Sequence, residues 1–342
     1  MKKIKSAGGI KKCAGFLFFI PGFWFLVVGF LSGCQPTFPK EHLQESITEL
    51  CRKEYQIKVA SKVVGNTIAV YMPAEHLFDA VFNIDPKASK KMNDVILGVS
   101  RVTLSTDAKL TFYVVIAQDP QMPEIEIVYI RYVDDVKRFL LGDLSRGEYA
   151  KRAVIMLKTP PQAQRERILK ELFAKLSADD ADEIIKSYLK TAQNVTGIGE
   201  ISYWNCRFFM KEIGLSEFLA SQIEERIKMD FRQDKDLTKW YELKAAEGKY
   251  LKRQKKGSFV VKVNLGNRVS PLYLDSGIEI DAQKKRSSVL GTILGIAGDI
   301  LWAYRYDDFV SVDISVLGQR YVVTKEQLWK IRKHALKAAD LV

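Results

Sequence analysis

"ASKKMNDVI" occupies residues 88–96 and "AQKKRSSVL" residues 282–290. Each opens on alanine, carries a Lys-Lys pair at its third and fourth positions, and closes on two aliphatic residues. What surrounds them also matches. Before the first, Ile57, Val59 and Val63 alternate with polar or small residues, Gly65-Asn66 forms a tight-turn pair, and residues 67–72 return as a second strand. After it come strand-like runs at 110–117 and 124–132, then a helix toward Leu141 that Asp134 can cap. Before the second, Phe259, Val261, Val263 and Leu265 alternate, Gly266-Asn267 reads as a turn, and 269–274 reads as a strand. After it, residues 300–306 and 310–316 read as strands, and Thr324 with Gln327 caps a last helix.

The order strand, Gly-Asn turn, strand, Lys-Lys helix, strand, strand, capped helix therefore occurs twice. It predicts a duplicated β-β-α-β-β-α module, each copy led by a helix. The first leading helix is residues 42–55, with Leu43, Ile47, Leu50 and Cys51 on one face. Consecutive hairpins predict antiparallel sheets, and helices gathered on a sheet face give an α+β fold.

Between the copies the period changes. Ser145 and Glu148 form a capping-box pair for a helix reaching Leu157, and Thr159-Pro160-Pro161 breaks the chain. Beyond it Ile168, Leu169, Leu172, Phe173 and Leu176 make one helical stripe, and Ile184, Ile185, Tyr188 and Leu189 another, started by Ser177 with Asp180. Residues 218–231 and 237–252 continue the helical pattern. The expected organisation is a leader at 1–33, a tether at 34–40, a first module at 41–158, a helical middle at 159–252 and a second module at 253–342.

The composition is that of a globular protein: 342 residues, 47% hydrophobic and 27% charged, with 10 prolines. The formal net charge is +12, but Lys2, Lys3, Lys5, Lys11 and Lys12 all precede a long apolar run, and without those five it falls to +7. With no arginine-rich segment or aromatic nucleotide-binding motif beside it, that excess does not support a nucleic-acid partner.

The apolar run decides where the protein is expected to live. No residue from Cys13 to Pro39 is charged, and residues 14–33 are about as long as a membrane-spanning helix. The lysine-rich flank and apolar middle equally suit a secretory signal. Its end, Leu31-Ser32-Gly33-Cys34, has an aliphatic residue, two small residues and a cysteine. This resembles the lipobox of bacterial lipoproteins. The resemblance implies cleavage before Cys34, diacylglycerol on its sulfur and acylation of the new amino group, and so a protein held in the cell envelope by lipid. A thiolate is the side chain nucleophilic enough for that transfer. More than one acyl chain is needed for stable anchoring. Gln35, rather than aspartate, follows the cysteine; in a two-membrane cell this resembles lipoproteins sent to the outer membrane. The alternative is an inner-membrane protein anchored by an uncleaved segment 14–33.

Candidate chemistry elsewhere is sparse. His42, His76 and His334 are widely separated, at no metal-ligand spacing, so no metal or cofactor site is expected. "GTILGIAGDI" at 291–300 has glycines at 291, 295 and 298, inside a helix rather than between strand and helix, so they read as close packing against the sheet, with Gly298 near a cap. "RYVDD" at 131–135 and "RYDD" at 305–308 offer paired aspartates for a hard cation or for acid–base work, but cap and turn positions account for them. Cys51 and Cys206 are the thiols besides Cys34 beyond the leader; outside the cytoplasm a bridge between them is permitted, although each sits among apolar residues. "KYLKRQKKG" at 249–257 reads as a basic helix end, suited to anionic lipid or cell-wall polymer. The expected function is a lipid-anchored, non-catalytic binding or assembly module whose partners are the membrane, envelope proteins or wall polymer. The alternative is an envelope hydrolase with unrecognised acidic catalytic residues.

Overall fold

The computed structural model describes residues 37–78, 83–120, 122–158, 198–203, 206–253, 256–267 and 282–341. The leader, the lipobox with Cys34, the Thr-Pro-Pro break, the helical stripes between 168 and 189, and the strand expected at 269–274 lie outside the described residues.

After a 3-10 turn at Lys40–His42, the first module runs α1 (Leu43–Tyr55), β1 (Ala60–Val64), β2 (Thr67–Pro73), α2 (Pro86–Leu104), β3 (Phe112–Asp119), β4 (Met122–Tyr132), α3 (Val133–Leu140), α4 (Arg146–Lys151) and β5 (Val154–Lys158). A hairpin of β6 (Ile198–Tyr203) and β7 (Cys206–Lys211) follows. The second module runs α5 (Leu215–Gln233), α6 (Lys235–Trp240), β8 (Tyr241–Arg253), β9 (Lys256–Asn267), α7 (Ala282–Ala303), β10 (Phe309–Val316), β11 (Gln319–Thr324) and α8 (Lys325–Arg332). The fold is α+β. Helix, hairpin, helix, hairpin, helix occurs in both halves, and the two Lys-Lys segments fall in equivalent helices, α2 and α7.

The sheets are mixed rather than antiparallel. Sheet 1 has the order β1-β2-β3-β4-β5 and sheet 2 the order β11-β10-β9-β8. In each, two antiparallel hairpins join through a central parallel pair, β2 with β3 and β9 with β10. The reason is connectivity: a helix bridges the second and third strands, and such a crossover brings the next strand back in the same direction.

Four local expectations are corrected. Residues 241–253 form strand β8, not helix, although Glu, Leu, Lys and Ala favour helix there. Strand β9, with Phe259, Val261 and Val263 buried, needs a neighbour, and α5 crosses β8 so closely that a Cβ on Gly248 would lie 2.2 Å from the Ala220 carbonyl oxygen. Packing overrides propensity. The expected strand 300–306 is largely the end of α7, where Val289, Leu290, Ile293, Leu294, Ala297 and Leu301 are buried at helical spacing. Gly266 pairs with Glu242 inside the β8–β9 ladder and is not a turn residue. The helix expected from Ser145 to Leu157 ends at Lys151, and residues 154–158 continue sheet 1 as β5.

The turn at Gly65-Asn66 forms as expected, with Gly65 at φ +56. Ser145 caps α4, and Thr324 with Gln327 completes a capping box on α8. Asp134 does not cap α3: Tyr132 holds that position without a side-chain hydrogen bond.

The modules stack helix layer on sheet. Helices α1 and α2 cover one face of sheet 1 through Ile47, Leu50, Val95 and Val99. The other face, with Tyr71, Phe112, Val114, Ile116 and Ile130, shares a core with α5, α7 and sheet 2. Phe218 of α5 lies 5.0 Å from Phe112, so α5 is held between the sheets. The far face of sheet 2 presents Glu247, Lys249, Lys262, Asn264 and Arg320. Leu251 and Val322 are exposed on the same face, which no further layer covers among the described residues.

Candidate functional site

Stacking brings distant polar residues together at the module boundary. Asp135, in the first turn of α3, is fully buried. Its Oδ1 accepts from Arg152 Nη1 at 3.0 Å, and its Oδ2 accepts the hydroxyl of Tyr304 from beyond the end of α7. Arg152, the residue that closes α4, also donates from Nε to Glu148 Oε1 at 3.0 Å, one helical turn back. Gln222 of α5 donates from Nε2 to the Arg152 carbonyl oxygen and, at 3.1 Å, to the Tyr304 hydroxyl. The Arg152 guanidinium lies 5.0 Å from the centre of the Tyr304 ring. Three residues of the first module, Asp135, Glu148 and Arg152, and two of the second, Gln222 and Tyr304, thus form one network.

The electrostatics follow from burial and pairing. Burial pushes the Tyr304 phenol far above its ordinary range, and the facing Asp135 carboxylate adds to it. Burial works against the Arg152 charge, but Asp135, Glu148 and Tyr304 more than offset it and hold the guanidinium protonated. Every charged group of the network has a partner within it.

Outside this network opens a cleft of about 480 Å³. Ile296 and Ile300 of α7 supply its apolar floor, and Glu148, Lys151, Arg226, Asp230 and Asp299 its charged walls. Trp302 also lines it, 47% exposed. The indole is braced: Arg332 lies 4.7 Å from its ring centre and Trp329 meets it edge-on at 5.6 Å. Arg332 Nε is 3.1 Å from Asp299 Oδ1, an ion pair without the alignment of a hydrogen bond. Burial raises the Asp230 carboxyl, while Arg226 and Lys151 pull it down.

Of the residues singled out in the sequence, Asp135 and Glu148 enter the network, and the "GTILGIAGDI" segment lends Ile296, Asp299 and Ile300 to the cleft. Asp135 belongs to the "RYVDD" segment, where it serves an internal ion pair. Asp307 instead pairs with Lys325 at 2.8 Å, and the Asp308 carbonyl accepts from Tyr250 at 2.8 Å, in the connection between α7 and β10. Cys34 lies outside the described residues. Cys51 is a free, buried thiol on α1, facing α2 at Gly98, and so is not bridged to Cys206, which lies on β7. His42, His76 and His334 are exposed, and among the described residues no group of His, Cys, Asp or Glu could hold a metal ion. The glycines of α7 do not press on sheet 2. Gly298 faces Leu328 and Arg332 of α8, Gly291 faces Ala338, and a Cβ on Gly295 would meet nothing within 4 Å. The described residues of the basic segment lie on the paired strands β8 and β9 rather than at a helix end.

Arg152, Gln222, Arg226, Trp302 and Tyr304 belong to no recognised motif and come from three separate segments, the ends of α4 and α7 and the middle of α5. The hint available was "LWAYRYDD" at 301–308, where aromatic residues cluster beside charge. Comparison with known proteins finds no family model, no curated relative and no solved structure that matches the chain.

Proposed function

We propose that this chain is a lipid-anchored bacterial cell-envelope protein whose folded part is a non-catalytic binding or assembly module, with the cleft between its modules as the binding site. The observation that carries the binding reading is the commitment of Asp135, Arg152, Glu148 and Tyr304 to one another beside a preformed cleft, which Glu148, Arg152 and Tyr304 line. A rigid, self-paired polar wall suits recognition; acid–base catalysis needs a group free to change its proton. Interfaces between domains are where ligand clefts concentrate.

The placement rests on the Leu31-Ser32-Gly33-Cys34 pattern. No described helix is long and apolar enough to cross a membrane. Intact mass of the membrane-extracted protein tests the anchor. Loss of residues 1–33 together with an added diacylglycerol and acyl chain supports it, and a Cys34→Ser variant should then remain unprocessed. A full-length, unmodified mass sinks it.

One observation favours the hydrolase reading: Asp230 lines the cleft with its carboxyl raised by burial, as a general acid requires. An Asp230→Asn variant separates the two. Ligand binding by the parent with no turnover in either protein supports the binding module, whereas turnover in the parent that disappears in the variant supports the enzyme.

A further inference from the structure

We infer that the cleft between the modules is a saccharide site, in which a pyranose ring lies against the Trp302 indole and its hydroxyls bridge the charged walls. The inference rests on the binding-module reading and names the ligand class.

Charge bookkeeping narrows the ligand. Arg152 is held by Asp135 and Glu148, and Arg332 by Asp299. Lys151 and Arg226 make no ion pair with a described residue, and both act electrostatically on the Asp230 carboxyl group. The four cations are therefore matched by four carboxylates, and the cleft is close to neutral. Neutrality argues against a polyanion, whose affinity would come from unmatched positive charge. An apolar ligand is also disfavoured, because the walls would lose water without gaining partners.

What remains is an uncharged polar ligand with one apolar face. A pyranose has that form: its axial C–H groups make a flat apolar patch, and its ring of hydroxyls both donates and accepts. Trp302 offers a large, half-exposed aromatic surface held rigid by Arg332 and Trp329, so little conformational entropy is lost on stacking. Asp230 and Asp299 supply acceptors, and Lys151 and Arg226 supply donors, for adjacent hydroxyls. The volume, about 480 Å³, suits a ligand of one or two rings. An envelope position would give such a site polysaccharide to grip.

The test is titration of the detergent-solubilised full-length chain with N,N′-diacetylchitobiose, followed by tryptophan fluorescence and saturation-transfer NMR, with inositol hexakisphosphate as the polyanion control. Expected is saturable binding with a dissociation constant near ~1 mM, weakened about tenfold or more by Trp302→Ala and several-fold by Arg226→Gln, and changing less than about twofold with added salt. Trp302 is half exposed, so the unfolding midpoint of Trp302→Ala should stay close to the parent's. No saturation at ~10 mM disaccharide, unaltered binding by Trp302→Ala, or displacement by inositol hexakisphosphate with steep salt dependence would each overturn the saccharide assignment. Those results leave the binding-module reading standing. Release of monosaccharide during incubation would instead sink the non-catalytic reading while keeping the site.

Discussion

Asp135→Ala is the sharpest probe of how the modules are held together. The carboxylate is fully buried and accepts from both Arg152 and Tyr304. Removing one partner of a buried ion pair costs about 3–5 kcal/mol, because the remaining charge stays in a poorly solvated place. Here Arg152 keeps Glu148, which is partly exposed and so a weaker substitute. That puts the loss at the low end, about 3 kcal/mol. The Tyr304 hydroxyl loses its acceptor as well, for about 1 kcal/mol, part of which is already included. A net loss of roughly 3–4 kcal/mol is a large share of the ~5–15 kcal/mol available to a domain. The apolar pair Asp135→Leu with Arg152→Met removes both charges, and should cost about 0–2 kcal/mol despite being the larger change. The assay is urea unfolding of the chain from residue 35, followed by far-ultraviolet circular dichroism. With a slope near ~3 kcal/mol/M, Asp135→Ala should lower the midpoint by about 1 M. A cost of under about 1 kcal/mol for Asp135→Ala, or a double variant that loses as much as the two single changes added together, would show that the buried pair does not hold the modules in this way.

Gly248→Ala should destabilise by about 2 kcal/mol or more, since the new methyl would overlap the Ala220 backbone where α5 crosses β8; Gly295→Ala, with open space around it, should instead gain about 0.5–1 kcal/mol. Thermal melts of the pair decide this, and equal effects would sink it. Burial pushes the Cys51 thiol up to about 11 from 9.0. The folded chain then keeps a proton that the unfolded chain releases, so this contribution is intact below pH 9 and is lost as pH rises from 9 to 11, at about 1.4 kcal/mol per unit. Urea midpoints at pH 8 and near the folded value, compared with Cys51→Ala, isolate the effect; identical pH profiles would count against it.

Much of the fold was legible because it was written in neighbouring residues. Alternation marked β1, β9 and β10, an apolar run marked β3 with β4 as its return strand, an apolar stripe marked α1, and the helical pattern marked α2 and α5. The paired Lys-Lys segments pointed to two modules of like order. Misreadings arose where neighbours were ambiguous. Residues 241–253 have helix-favouring composition and became a strand because β9 and α5 required one. Residues 300–303 are apolar with no strict period and completed α7. The placement of the site followed the same division. Asp135 stood out locally as part of an aspartate pair, but its partners Arg152 and Tyr304, and Gln222 that joins those two, had no motif to announce them.

By itself the sequence determined the α+β class, the repeated module order, the caps of α4 and α8, and the tight turn before β2, all of which depend on the spacing of adjacent side chains. The tertiary structure alone decided the parallel central pairing, the burial of sheet 1 on both faces, and the cleft with its network. The physical reason is that periodicity shows which face of an element is apolar but not which surface will cover it. Here α5 chose the back of sheet 1, and that choice brought Asp135, Arg152, Gln222 and Tyr304 together.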